Sequence, residues 1–388
     1  MNISKKSSKI NRYQLTGSQK KSGLNVWRFV FNGTEKVTGQ ERKFFIELSM
    51  LNPGLCPEEA VLGFKARVNI SAEDLQNVLA GSVSAQSIQS ESYVVPSYVV
   101  LRAGALGSEA KQVCAYSAAK DVSVSSKSFC IQGDKFSFDG EKLSGRIDCS
   151  PGDIQEHPEY LCDSGSVSWE LRYEIRCDFE KGYSGKNYYW APTGARTVFA
   201  GNFTIDGKVY EVVPKKSAGY IDRFFGKNVV FPWVHLSSNV LTSIISGKTL
   251  TDSTFAVQGA FENQVSAVVD FEGNAITFEA GKAKVSDGSI WNFSEMPENN
   301  GVENLHWSVS LNNKSYVVDI DIFCPASQMY VKSVEIPEGN RNVLKMLCGG
   351  TGTGEIRLYK RFGKNLELIE HAKIASALCE YGQLEKPE

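Results

Sequence analysis

Two stretches of this chain repeat one another. Trp27 to Asn32, Thr38-Gly39 and Phe44 to Leu48 are echoed in order by Trp233 to Ser238, Ser246-Gly247 and Thr254 to Val257. The echo runs on, since Gly165 to Tyr173 around Trp169 finds a partner in Asn304 to Leu311 around Trp307, and Gly201 to Glu211 answers Gly354 to Glu367. The spacing is far longer than the roughly 20–50 residues of a solenoid repeat, so it implies duplication of a whole domain. The second copy is the shorter one. The first therefore carries extra loops, where binding groups tend to sit.

The length of 388 residues exceeds the roughly 250–300 at which single cores stop growing, which independently favours two domains. The sequence divides into a basic tail over residues 1–22, a first copy over 23–227 and a second over 228–388. The tail holds Lys5, Lys6, Lys9, Arg12, Lys20 and Lys21 with no acid, and is expected to be disordered. The chain's net charge of −2 gives no general attraction to nucleic acid or to an anionic bilayer. No run approaches the roughly 20 apolar residues of a transmembrane helix, so any membrane contact is expected to be peripheral. The nine cysteines contain no CxxC pair, which points to reduced thiols in a cytoplasm and away from a disulfide framework or a structural zinc. No cofactor motif stands out, and the oligomeric state is left open. Gly349 to Glu355 is rich in glycine but lacks the Lys-Ser/Thr of a phosphate loop and opens a strand, so a flexible hairpin or bulge is expected there.

The local pattern is alternation with period two. From Trp169 to Cys177 the apolar residues Trp169, Leu171, Tyr173, Ile175 and Cys177 point one way, and Glu170, Arg172, Glu174 and Arg176 the other. Similar runs recur along both copies, punctuated by Asp139-Gly140, Asp206-Gly207, Glu272-Gly273, Asp287-Gly288 and Asn312-Asn313, each a hairpin signal. Helical signals are few: Ala72 to Leu79, with Ser71 and Asp74 as a capping box, and Leu368 to Tyr381. The fold class predicted is all-β, two tandem antiparallel β-barrels from an internal duplication. A barrel of about eight strands removes exposed edges and is about the smallest that can enclose a small ligand, so an apolar small molecule is the expected partner.

Asn25 to Gly33, Lys43 to Glu47, Pro96-Ser-Tyr98, Ser166 to Trp169 and Gly219 to Lys227, taken in order, resemble the tocopherol cyclase-like proteins, relatives of the carotenoid hydratase and lipocalin-like group. The resemblance covers most of the chain and rests on order and spacing. It implies two lipocalin-like barrels and a prenylated or terpenoid substrate, with a proton added to a double bond and ring closure or hydration following. The chain departs from that pattern at Phe225, where a tryptophan is expected, and at His235, where an aromatic or apolar residue is expected.

Three residues are candidate acids or bases. Asp222 sits in the segment joining the copies, hemmed by Tyr220, Phe224 and Phe225; desolvation there would favour its protonated form, while an ion pair to Arg223 or Lys227 is the plainer role. His235 takes the place of Phe29 in the repeat and shares a face with Trp233, the face expected to point into the barrel; it could move a proton or be a bonded core histidine. Glu47 shares its side of the strand with Phe45 and Leu51, which leaves its direction undecided. The aromatics Trp27, Tyr98, Trp169, Tyr189, Trp190, Tyr220, Phe225 and Trp233 are the candidate ligand-binding set, able to shield a cation or simply to form core. An enzyme on such a substrate and a non-catalytic carrier or sensor of an apolar molecule both fit these residues.

Overall fold

Period-two alternation produces strands wherever the sequence allows it. The computed structural model describes residues 7–63, 72–84, 94–260, 264–279, 284–292, 303–339 and 342–385. The first sheet holds β1 (Leu24–Glu35), β2 (Glu41–Leu51), β3 (Tyr98–Leu106), β4 (Lys111–Ser117), β5 (Ser123–Val124), β6 (Cys130–Gly133), β7 (Phe136–Asp139), β8 (Lys142–Cys149), β9 (Gly165–Cys177), β10 (Tyr183–Ser184), β11 (Tyr188–Ile205), β12 (Lys208–Val212) and β13 (Gly219–Gly226). The second holds β14 (Trp233–Ser238), β15 (Val240–Ser243), β16 (Thr254–Ala260), β17 (Gln264–Phe271), β18 (Asn274–Phe278), β19 (Lys284–Asn292), β20 (Asn304–Asn312), β21 (Tyr316–Pro325), β22 (Met329–Glu335), β23 (Val343–Phe362) and β24 (Asn365–Glu385).

The duplication is written in the strand order. The first sheet runs β4-β3-β2-β1-β12-β11-β9-β8-β7-β6-β5, with β13 pairing β1 and β11; the second runs β18-β17-β16-β14-β24-β23-β21-β20-β19. Thus β1 to β4 match β14, β16, β17 and β18, while β9 and β11 match β21 and β23. The single strand β24, kinked at Ser376 (φ 52), does the work of β12 and β13 together. Each sheet curls over its own core. In the first, the far end of β4 meets the segment before β9, where the Asp163 N–H donates to the Gln112 carbonyl at 2.7 Å and the Gln112 N–H to the Asp163 carboxylate at 2.8 Å.

Pairing also corrects the echo. By strand order Trp169 on β9 matches β21, whereas Trp307 lies on β20, one strand away. Gly201 on β11 and Gly354 on β23 are equivalent for a physical reason: a Cβ would meet the Glu170 carbonyl oxygen at 2.1 Å in one and the Asp321 carbonyl oxygen at 1.8 Å in the other. Only glycine lets the neighbouring backbones approach so closely.

Aromatic rings fill the first barrel. Phe44 lies 4.5 Å from Phe203 and 4.7 Å from Tyr210, and Phe31 lies 5.3 Å from Phe199, while Trp27, Phe29, Phe138 and Trp169 complete the core. Each fully buried ring contributes about 1.5–3 kcal/mol by burial. Val234, Leu236, Phe255, Val257, Trp307 and Ile320 form the second core. The expected hollow for a guest is taken, in the first barrel, by the protein's own rings.

Three other expectations change. Residues 7–22 do not hang free: Leu15 is fully buried, and the Asn11 carbonyl accepts the Trp27 indole N–H at 2.8 Å. Leu368 to Tyr381 is not a helix but most of β24, held between β23 on one side and β15 and β14 on the other. Asp287-Gly288 lies inside β19 beside a register shift, so it marks a bulge and not a hairpin turn. Ala72 to Leu79 is helical, but Ser71 and the Asp74 side chain lie outside the described residues. A capped turn at Pro151–Glu156 was not foreseen. No disulfide joins the nine cysteines, and no described helix is long and apolar enough to cross a membrane.

Candidate functional site

The two barrels touch along the outer faces of β1, β2, β3, β11 and β13 on one side and β14, β16, β23 and β24 on the other. Leu51, Tyr98, Val100, Trp190 and Phe224 of the first half pack there with Trp233, Leu344 and Met346 of the second. Of these, β1, β2, β13, β14 and β16 are buried on both faces, which explains why alternation could not say which face looks inward. Trp27 and Phe29 face the first barrel's interior, whereas Val234 and Leu236 face the second. Trp233 and His235 therefore point to the seam, not into the barrel as expected. The alignment of Trp27 with Trp233 is one residue out, and a single-residue slip exchanges the two faces of a strand.

Read through the pairing, the equivalents are Arg28 and His235. Arg28 lies in register with Glu47 on β2 and Asp222 on β13; His235 lies in register with Gln258 on β16 and Glu380 on β24. The duplication thus brings two matching trios together across the seam, and all six side chains are buried.

Arg28 ties them. Its Nε and Nη2 donate to the two oxygens of Asp222 at 3.1 and 2.7 Å, and its Nη1 donates to Glu380 Oε1 at 2.5 Å. His235 Nδ1 lies 3.2 Å from Glu380 Oε2 and 3.1 Å from Arg28 Nη2. Indole N–H groups complete both carboxylates: Trp190 donates to Asp222 Oδ2 and Trp233 to Glu380 Oε2, each at 3.1 Å. The Tyr220 hydroxyl adds a bond to Asp222 Oδ2 at 3.4 Å. Next to this group, Glu47 accepts from Arg102 Nη1 at 3.2 Å and from Lys332 Nζ, of the second half, at 2.5 Å.

Electrostatics fixes the charge states. Burial alone would push Glu380 and Glu47 up, but Arg28 and His235 for the first, and Lys332 and Arg102 for the second, outweigh it and hold both carboxyls below their ordinary range. Burial likewise works against the charge of Arg28, and Asp222 and Glu380 overcome it, so its guanidinium stays protonated. Asp222 receives four donor contacts on two oxygens, the complement of an acceptor-only carboxylate. Its partner is Arg28, not Arg223 or Lys227. Arg223 instead serves backbone carbonyls of Ile10, Arg12 and Val26 and lies 3.9 Å above the Trp27 ring.

His235 differs from its neighbours. It is wholly buried, with the Tyr220 ring at 5.0 Å and the Trp190 ring at 5.8 Å, and its Nε2 has no hydrogen-bond partner among the described residues. Beside the array lies a cavity of about 40 Å³. Arg28, Glu47, Asp222 and Lys332 form its polar floor, and Val26, Phe224, Val229, Trp233 and Met346 are among its apolar walls. Trp190 and Trp233 stack at its edge, ring centroids 3.6 Å apart.

Of the residues singled out from sequence, Asp222, His235, Glu47, Trp190, Tyr220 and Trp233 meet here. Tyr98 lies one strand further out, packed edge-on against Tyr116 at 5.2 Å. Trp27 and Trp169 belong to the first barrel's interior, and Tyr189 and Phe225 stack on each other at 4.7 Å away from the cavity. Arg28, Glu380, Lys332 and Arg102 were missed. Arg28 and Glu380 each sit among apolar residues, at Trp27-Arg28-Phe29 and Leu378-Cys379-Glu380-Tyr381, but that alternation reads as a half-exposed strand, and only the cover from the other half buries them. The described residues hold no cluster of three or more His, Cys, Asp or Glu placed to bind a metal.

No protein-family model matches the chain, and no curated protein does. Among solved structures it is similar to a protein described as an AttH from Nitrosomonas europaea, at 11% identity over 99% of this chain and 97% of that one, with a TM-score of 0.43. It is also similar to kievitone hydratase from Nectria haematococca, at 12% identity over 96% and 94% of the two chains, with a TM-score of 0.41. Likeness at this level carries no argument about chemistry.

Proposed function

We propose that the seam between the barrels is the working site and that it protonates a double bond in a largely apolar substrate, with hydration or ring closure following. The observation that carries this reading is His235: a buried imidazole backed by Glu380, with its second nitrogen uncommitted, lying behind Arg28, Asp222, Trp190 and Trp233, which line an apolar-walled cavity, so that the same shift of the walls that admits a substrate must also bring it to the imidazole. With Nδ1–H directed at Glu380, the imidazolium gives its Nε2 proton to one alkene carbon. Water adds to the other carbon and returns a proton to Nε2, so water is added and the histidine restored. Ring closure of a prenyl chain, the tocopherol cyclase-like variant, differs only in that a hydroxyl of the substrate replaces water. Indole and phenol faces next to the site favour a cation, and the anionic Asp222 and Glu380 oppose its charge.

This reading moves the acid from Asp222 to His235, because Asp222 is saturated by donors. A cavity of about 40 Å³ accommodates a few waters at most, so substrate entry requires the walls at Val229 and Met346 to shift. The test is incubation with a cell lipid extract, followed by mass spectrometry, for the native protein and for His235→Asn, which keeps a polar group near the Nδ1 position and removes Nε2. The expected result is a product heavier by one water, or an isomer of altered retention, from the native protein alone, while both proteins retain the same ligand. A carrier function is the second reading, favoured by the ion pairing of Glu47 and Glu380; retention without conversion by the native protein would establish it. If nothing is retained or converted, both readings fall.

A further inference from the structure

A separate groove of about 570 Å³ opens along the same seam, lined by both halves. Most of its cations are already matched. Arg42 pairs with Glu109 at 3.5 Å, Arg196 with Asp252 at 2.6 Å and Lys216 with Glu41 at 3.2 Å. Lys43, in the groove wall, is different. It is only 6% exposed, its Nζ donates to the backbone carbonyl of Ser376 in the other half, and no carboxylate among the described residues pairs with it. An ammonium carries three donors, and one neutral acceptor leaves this one poorly compensated. Burial, only slightly opposed by the nearby Cys379 thiol, pulls the amine down from its ordinary value to about 8. Around it, Arg196 Nε and Asn32 Oδ1 are buried with no hydrogen-bond partner among the described residues, one a donor and the other an acceptor.

We propose that Lys43 is a carbonyl-capturing amine, condensing with a small aldehyde that also bears an acid group and enters this groove. The Nζ lone pair attacks the carbonyl carbon and a C–N bond forms. The carbonyl oxygen takes up two protons, including those released by nitrogen, and leaves as water, giving an imine with no change of oxidation state. Lys215, which pairs with no carboxylate among the described residues, and the uncommitted Arg196 Nε–H are left to hold the acid group, and desolvation supplies the nucleophile, as it does for other amine nucleophiles in low-dielectric sites. The site is independent of the proton chemistry assigned to His235.

Glyoxylate is the probe, the smallest aldehyde carrying a carboxylate. The full chain is treated with a limited amount of it and cyanoborohydride at about pH 7.5, where an amine titrating near 8 is far more deprotonated than an ordinary lysine, and adducts are mapped by peptide mass spectrometry. Lys43 should be labelled at least about tenfold more than any other lysine, on the strength of that difference in free amine. Lys215 and Lys216 in the same groove are internal controls for mere accumulation of the anion. Lys43 labelling should level off just above about pH 8. Lys43→Arg should remain folded by circular dichroism and lose the dominant adduct. Equal labelling of Lys43, Lys215 and Lys216, or a Lys43 profile that rises in step with theirs, overturns the proposal.

Discussion

Arg28 decides the character of the seam, since one guanidinium serves a carboxylate from each half. Removing one partner from a buried charge cluster leaves the others desolvated and uncompensated, which costs about 3–5 kcal/mol. Arg28→Met should lower the stability of the whole chain by that amount in urea titrations, and a loss below about 1 kcal/mol, the range of an exposed pair, would contradict the buried array. Arg28→Lys should recover only part of it, because an ammonium cannot grip Asp222 with two parallel donors while also reaching Glu380. Sequence reading reached Asp222 and His235 through their neighbours but not Arg28. An arginine between Trp27 and Phe29 looks like an ordinary solvent-facing residue unless the strand is known to be covered on both sides, and that cover comes from the other half of the chain.

At the scale of the strand, what was legible depended on whether local signals and tertiary pairing agreed. Hairpins at Asp139-Gly140, Asp206-Gly207, Glu272-Gly273 and Asn312-Asn313 appear where turn chemistry called for them. The stretch from Leu368 to Tyr381, with three alanines and two leucines, favours helix by local propensity, yet β23 on one side and β15 and β14 on the other pair with it, and pairing prevails. The repeated glycines held information that alignment alone could not interpret. Gly201 and Gly354 recur because a neighbouring carbonyl occupies the place of their Cβ. Gly354→Ala should therefore force β23 away from β21 and destabilise the protein by about 1–3 kcal/mol, the usual cost of overpacking. Gly363→Ala, where a Cβ meets nothing within 4 Å, is the matched control for glycine in the same hairpin; its φ of 62 carries a penalty without any crowding. Thermal melts should show the former broadening or lowering the transition, with strand-specific loss of amide protection across β21, and the latter showing no such local loss.

For the molecule as a whole, the seam joins what the duplication made separately. Glu380 of the second half is held by Arg28 of the first, and Glu47 of the first by Lys332 of the second. Both carboxyls lie below their ordinary range in the folded protein. The unfolded chain, with glutamates near 4.3, therefore takes up protons before the folded one as the pH falls. Stability from these groups is complete above about pH 4.3 and is lost progressively below it, down through the folded values. The urea midpoint should accordingly be flat from pH 7 to about 5 as far as these groups are concerned, and then fall steeply. Because each ion pair spans the seam, the loss should appear as one cooperative transition, reported alike by Trp27 and Trp169 fluorescence in the first barrel and by Trp307 in the second, each read in variants retaining the others as Phe. Glu47→Gln together with Lys332→Met should flatten part of the acid slope, since the pair that titrates is gone. A native acid slope unchanged by that double replacement, or two barrels that melt at different pH, would mean that the charges at the seam do not couple the halves.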